Sequence, residues 1–233
     1  MSSKRKYHYT RVRRRRIRRV QTRRYVLIIS GVALFILLLC GVISYCGNDD
    51  EARQTDSIAK VLPKITLDVQ LLKINQYSRP GIALKKVKGI VVHYTANPGT
   101  DAEDNRNYFN NLPRLNKGKE TPIYASSHFV IGLEGQIVQC IPTSEMAYAS
   151  NDRNSDTIAI ECCHPNASGK FNKLTYQALV ELVTYLCLKF DLDEEDVIRH
   201  YDVTGKQCPL YYVQHEDKWE QFKHDVKLKM QTQ

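Results

Sequence analysis

Lys88–Thr95 reads Lys-Gly-Ile-Val-Val-His-Tyr-Thr, an apolar, β-branched run that ends on His93. Such a run reads as a buried strand. A side chain at its C-terminal end reaches the rim of a pocket. Downstream, Asp101–Leu112 opens with acidic residues and spaces Ala102, Tyr108, Phe109 and Leu112 at helical intervals. Ala125–Ile131 and Gly135–Pro142 read as two strands about Gly132-Leu-Glu-Gly135, a hairpin signal. Thr157–Cys163 is a further strand. Leu174–Phe190 is a helix with Leu179, Leu182, Val183, Leu186, Cys187 and Phe190 on one face. Val197–Tyr201 is short and extended, and Val213–Met230 is a polar amphipathic helix carrying Trp219 and Phe222. Upstream, Asn75–Gly81 is a turn cluster, and Ile65–Leu72 is a strand or an arm packed on the domain. Strands alternating with helices predict an α/β domain with a single mixed central sheet flanked by helices. Fold class alone says nothing about function.

The charge of the 233-residue chain is +9, unevenly spread. Residues 1–24 hold 12 of the 34 Lys and Arg and none of the 25 Asp and Glu, so the remainder carries about −3. A basic footprint for nucleic acid belongs on the folded domain, and there it is absent. Tyr25–Cys46 is 22 residues without a charge. As a helix it is about 33 Å long, enough for a hydrocarbon core of about 30 Å. A cleaved signal peptide has a shorter apolar region and a small-residue cleavage site, whereas Tyr45 is bulky. The expectation is an N-terminal transmembrane helix at 25–46 serving as an uncleaved signal anchor. Residues 1–24 form its basic cytoplasmic tail and 47–72 a stalk or arm. The acidic step after the span, Asn48–Glu51, places the remainder outside the cell membrane by the positive-inside rule.

Three sets of residues carry chemistry: His93 itself, Glu161 in Thr157-Ile-Ala-Ile-Glu161, and Arg199-His-Tyr-Asp-Val-Thr-Gly-Lys-Gln-Cys-Pro209. Alternation puts Glu161 on a strand face with Thr157, Ala159 and Cys163, where a carboxylate is expensive to bury without a partner or a task. Two imidazoles and a thiolate, His93, His200 and Cys208, are good zinc ligands that leave a fourth position for water. Glu161 could serve as general base and Lys206 as a cation for a developing oxyanion. Spacing alone leaves this open against a disulfide reading of Cys140, Cys162, Cys163, Cys187 and Cys208. Their odd number leaves at least one thiol without a partner within the chain. Cys187 lies on a core helix face and reads as an inert hydrophobe.

At four places in the right order the chain resembles the zinc-dependent N-acetylmuramoyl-L-alanine amidases of the type 2 family, the group of amidase-type phage lysozymes and peptidoglycan recognition proteins. They are Gly89-Ile-Val-Val-His-Tyr-Thr-Ala96, Ala125-Ser-Ser-His-Phe-Val-Ile131 with its Gly-x-x-Gly turn, Thr157–Glu161, and Arg199–Pro209. The resemblance runs from about Asn75 to the last helix and implies an amidase domain at residues 73–233. It implies Zn2+ held by His93, His200 and Cys208, with Glu161 and Lys206 as the catalytic pair. The implied reaction is hydrolysis of the amide between N-acetylmuramic acid and L-alanine in peptidoglycan, by a membrane-anchored wall-remodelling or lytic enzyme. The alternative is a non-catalytic peptidoglycan-binding module. Non-cutting relatives typically lack the cysteine ligand, which this chain keeps as Cys208. His128 falls within a family motif and is expected to line the groove. Tyr94 and Asn97 are candidates for substrate contact. Some relatives carry an aromatic residue where this chain has Ser127, which moves weight to Glu161.

Overall fold

The computed structural model describes residues 62–233. The expected tail and membrane span, and the start of the stalk, lie outside the described residues. Among those described, no helix is long and apolar enough to cross a membrane.

Six strands form one mixed sheet: β1 (Asp68–Val69), β2 (Ile90–Tyr94), β3 (Phe129–Ile131), β4 (Ile137–Gln139), β5 (Ile158–Cys162) and β6 (Val197–Arg199). Their order is β1-β4-β3-β5-β2-β6. The β3–β4 hairpin is antiparallel and every other pair is parallel. Among the described residues five α-helices accompany it: α1 (Ala102–Leu115), α2 (Lys173–Phe190), α3 (His200–Thr204), α4 (Leu210–Gln214) and α5 (Glu216–Gln231).

The period of two along the strands sorts the core into halves. Ile90, Val92, Ile158, Ile160 and Cys162 join Leu179, Leu182, Val183 and Leu186 of α2 and Phe222 and Val226 of α5 in the larger cluster. Val130, Val138, Cys140 and Cys163 pack with Ala102 and Phe109 of α1 on the other face. At roughly 1.5–3 kcal/mol per large buried side chain, the α2–α5 side supplies most of the hydrophobic stabilisation. The thinner α1 side leaves room for a site.

Asp101 caps α1. Its Oδ1 accepts from Ala102 N at 2.8 Å, and Asp104 completes the capping box by accepting from Asp101 N at 3.0 Å. The same carboxylate accepts from Leu133 N at 3.1 Å and Gln136 Nε2 at 2.6 Å, which ties α1 to the hairpin turn. Gly135 takes φ 78° in that turn, a left-handed conformation suited to glycine.

Three expectations change in detail. The strand expected from Ala125 starts at Phe129, because Ser126 and Ser127 spend their hydroxyls on backbone. Ser126 Oγ accepts from Tyr148 N at 2.9 Å, and Ser127 Oγ donates to Phe129 O and Ala159 O at 2.9 Å. Such side-chain-to-backbone bonds compete with a regular ladder. The extended Val197–Tyr201 turns helical at His200. The single helix expected over Val213–Met230 is broken at His215, whose ring stacks on Tyr211 with centroids 4.3 Å apart. The arm is seated: β1 pairs with β4, and Leu72 is fully buried. All five cysteines among the described residues are buried free thiols, so the disulfide reading is not realised there.

Candidate metal centre and active site

In-register pairing of β2 with β5 sets His93 opposite Glu161. Neighbours in a parallel sheet point to the same face, so imidazole and carboxylate emerge together at the ends of two central strands. β6 stops at Arg199, where the Asp202 carboxylate accepts from Arg199 N at 2.7 Å and from its Nη2 at 2.8 Å. Arg199 Nη1 donates onward to Tyr212 O at 3.0 Å and to Glu216 Oε2 at 2.6 Å. The clamp starts α3 at His200. Gly205, at φ 75°, ends α3 and turns the chain back. Tyr201 N then donates to Cys208 O at 2.9 Å, and Tyr94 N donates to the Cys208 sulfur.

His93, His200 and Cys208 are thereby brought together from two strand ends and one loop. All three are buried, with one ligand atom of each within 4.8 Å of the others. His93 Nδ1 stands 3.8 Å from Cys208 Sγ, and the two imidazoles meet edge to face at 4.7 Å. A tetrahedral zinc with bonds of 2.0–2.3 Å holds its ligand atoms about 3.3–3.8 Å apart, close to this spacing. His200 Nδ1 and Glu161 Oε2 are buried without a hydrogen-bond partner. Buried polar atoms are almost always satisfied, and the orphan imidazole nitrogen of His200 is what a cation bound by this group would satisfy, while the Glu161 carboxylate stays free for a proton. The donor set fits zinc.

The electrostatics agree. Burial, the neighbouring His200 and Lys206 hold the His93 imidazole well below its usual range, and burial with Lys206 lowers His200, which favours the neutral form that a metal ligand needs. Burial, reinforced by Glu161, pushes the Cys208 thiol up to about 12, so a thiolate here needs a cation beside it. Burial raises Glu161 to about 8 against the pull of Lys206. A cavity of about 340 Å³ opens over the group, and His93, His200, Glu161 and Lys206 all line it. Tyr124, Tyr148 and Phe109 supply an aromatic wall.

The other expected contacts do not reach this cavity. His128 is buried with both ring nitrogens engaged. Ala159 N donates to its Nδ1 at 2.9 Å, and its Nε2 donates to Glu145 O at 2.9 Å. Burial lowers it to about 4, and it pins β5 to the Glu145 loop instead of lining the groove. Tyr94 points to the opposite face from His93, where its ring meets His164 at 5.1 Å. Asn97 is exposed in the turn after β2 and accepts from Thr100 Oγ1 through its carbonyl. Two residues not singled out from sequence do meet the ligands: Ser150 Oγ lies 3.2 Å from His93 Nε2, and Asn151 Oδ1 lies 2.9 Å from His200 Nε2. Ser150 precedes and Asn151 opens a single 3-10 turn, Asn151–Arg153, too short for a spacing pattern to mark them.

Residues 83–210 match the family model described as N-acetylmuramoyl-L-alanine amidase. Among curated proteins, N-acetylmuramoyl-L-alanine amidase BlyA of Bacillus subtilis (strain 168) is 35% identical over 179 residues, spanning 68% of this chain and 46% of that protein. N-acetylmuramoyl-L-alanine amidase CwlL of Bacillus licheniformis is 36% identical over 167 residues, spanning 66% and 45%. The chain thus spans somewhat less than half the length of these relatives. Among solved structures, PlyL aligns with a TM-score of 0.58 at 25% identity, over 70% of this chain and 98% of that one. The catalytic domain of XlyA aligns at 0.57 and 27% identity, over 70% and 99%.

Proposed function

This chain belongs to the N-acetylmuramoyl-L-alanine amidase family, and from that membership we propose that it hydrolyses the amide joining N-acetylmuramic acid to L-alanine in peptidoglycan, using zinc. The observation that carries the reading is the buried His93–His200–Cys208 group beside the unpartnered Glu161 carboxylate, in one cavity. His93, His200 and Cys208 would hold the metal. Zinc bound there supplies Lewis-acid polarisation and acidifies water to a pKa of about 7.

The chain's own groups do the rest. Glu161, raised towards neutrality by burial, takes a proton from the attacking water and returns it to the leaving nitrogen. Lys206, exposed on the cavity wall, offers its ammonium to the carbonyl oxygen as negative charge develops. The aromatic wall of Tyr124, Tyr148 and Phe109 excludes water from one side of the substrate.

On the same reading, residues 25–46 anchor the chain in the cell membrane with the domain outside, supported by the uncharged stretch and the 12 basic residues before it. Extraction from membranes only by detergent is the expected behaviour. Recovery of the intact chain in the soluble fraction would refute the anchor.

The decisive experiment digests purified peptidoglycan with the full chain in detergent and zinc, followed by mass analysis of muropeptides. New L-alanine amino termini and peptide-free glycan are expected, and Cys208→Ala should release neither. A full chain that binds the wall without exposing those termini would be a binding module.

A further inference from the structure

Each ligand histidine has its outer nitrogen held by a neighbouring side chain, and both holders come from one dipeptide. Asn151 Oδ1 lies 2.9 Å from His200 Nε2. An amide oxygen can only accept, so this nitrogen carries the proton and Nδ1 keeps the lone pair. That Nδ1 is the buried atom without a partner. Ser150 Oγ lies 3.2 Å from His93 Nε2, while His93 Nδ1 faces Cys208 Sγ. Ser150 is itself buried.

The loop is built to hold that position. Asn154 Oδ1 accepts from Ala149 N at 3.0 Å and from Ser150 N at 2.6 Å. Thr157, just before β5, donates through Oγ1 to Arg153 O at 2.7 Å, which ties the turn to the strand bearing Glu161. Asn151 takes φ 51°, a left-handed conformation that most non-glycine residues avoid and asparagine tolerates. A glycine would relax that backbone without an amide to offer, so the side chain accounts for the residue type.

We propose that Ser150 and Asn151 are positioning residues of the zinc site: they take the Nε2–H of His93 and His200, leaving Nδ1 of both rings for the metal shared with Cys208. This rests on the zinc reading above. Outer partners of this kind fix the ligand tautomer, orient the ring and raise ligand basicity.

The test is zinc affinity, measured on the metal-stripped full chain by competition with a chromophoric chelator. Asn151→Ala should bind roughly ten- to a hundredfold more weakly, and Ser150→Ala should also weaken binding. Asn151→Asp, whose carboxylate accepts the same hydrogen bond, should stay within about threefold of the unaltered protein. Nitrogen chemical shifts of labelled histidine should show the Nε2–H form of His200 in the metal-free protein and its loss in Asn151→Ala. Unweakened zinc binding by Asn151→Ala, or failure of Asn151→Asp to restore it, overturns the positioning role while leaving the zinc reading intact. If the unaltered protein takes up no zinc, both fall together.

Discussion

Glu161 lies beside His93 in the register of β5 and β2, so a change at that carboxyl can be made without touching a ligand atom. Glu161→Gln removes the proton acceptor and keeps the volume. Its kcat should fall about 10²- to 10⁴-fold with one zinc per chain retained, read by muropeptide release and metal analysis. Loss of the metal as well would place Glu161 among the ligands. Away from the site, the Arg79 guanidinium grips Glu145 by Nε–Oε2 at 2.8 Å and Nη2–Oε1 at 2.7 Å and holds that carboxyl below its usual range. A depressed carboxylate stabilises the fold fully above its unfolded value of about 4.3 and loses that contribution as pH falls through the lower folded value. Urea unfolding should therefore show Glu145→Gln about 1–2 kcal/mol less stable at pH 7, with the gap closing below about pH 4. At this scale the sequence was legible where chemistry and element ends coincide: His93, Glu161, His200 and Cys208 all converge. Ser150 and Asn151 were not legible, because the histidines they meet lie 57 and 49 residues away along the chain. His128 misled for the opposite reason, since a polar residue ahead of a strand can turn inward and satisfy backbone.

Elements were legible wherever hydrophobic period and length agreed, as in β2, β5 and α2, whose boundaries fall within two residues of the expected ones. Short pieces resisted because side-chain-to-backbone bonds decide them: Asp202 turns β6 into α3, and the serines before β3 delay that strand. The hairpin supplies a sharp test. A Cβ on Gly132 would collide with Asp101 Oδ1 and the Gln136 side chain, so Gly132→Ala must displace the carboxylate that caps α1. A loss of about 1–3 kcal/mol in urea unfolding is expected. Between α2 and α5, Phe222 is fully buried against Trp219 and Tyr176. Phe222→Ala should cost about 3–5 kcal/mol while zinc content per folded chain stays at one, because the cavity it opens is on the far face of the sheet.

For the whole molecule, the excess of positive charge resides in the first 24 residues, and Lys206 is the cation that lines the cavity of the described domain. The sheet order carries a mechanical consequence. A pull from the N-terminal side would be met first by Ile65 and Leu67, packed against the larger core cluster, and then by β1, an edge strand with two paired residues. Two more strands, β4 and β3, separate it from β5 and β2, which carry Glu161 and His93. Load arriving from that end would free Ile65 and Leu67, shear β1 from β4 and draw buried Leu72 out while the central strands remained paired. The arm would thus yield before the centre of the sheet deforms, and a pull from the N-terminal side would leave His93 and Glu161 in register.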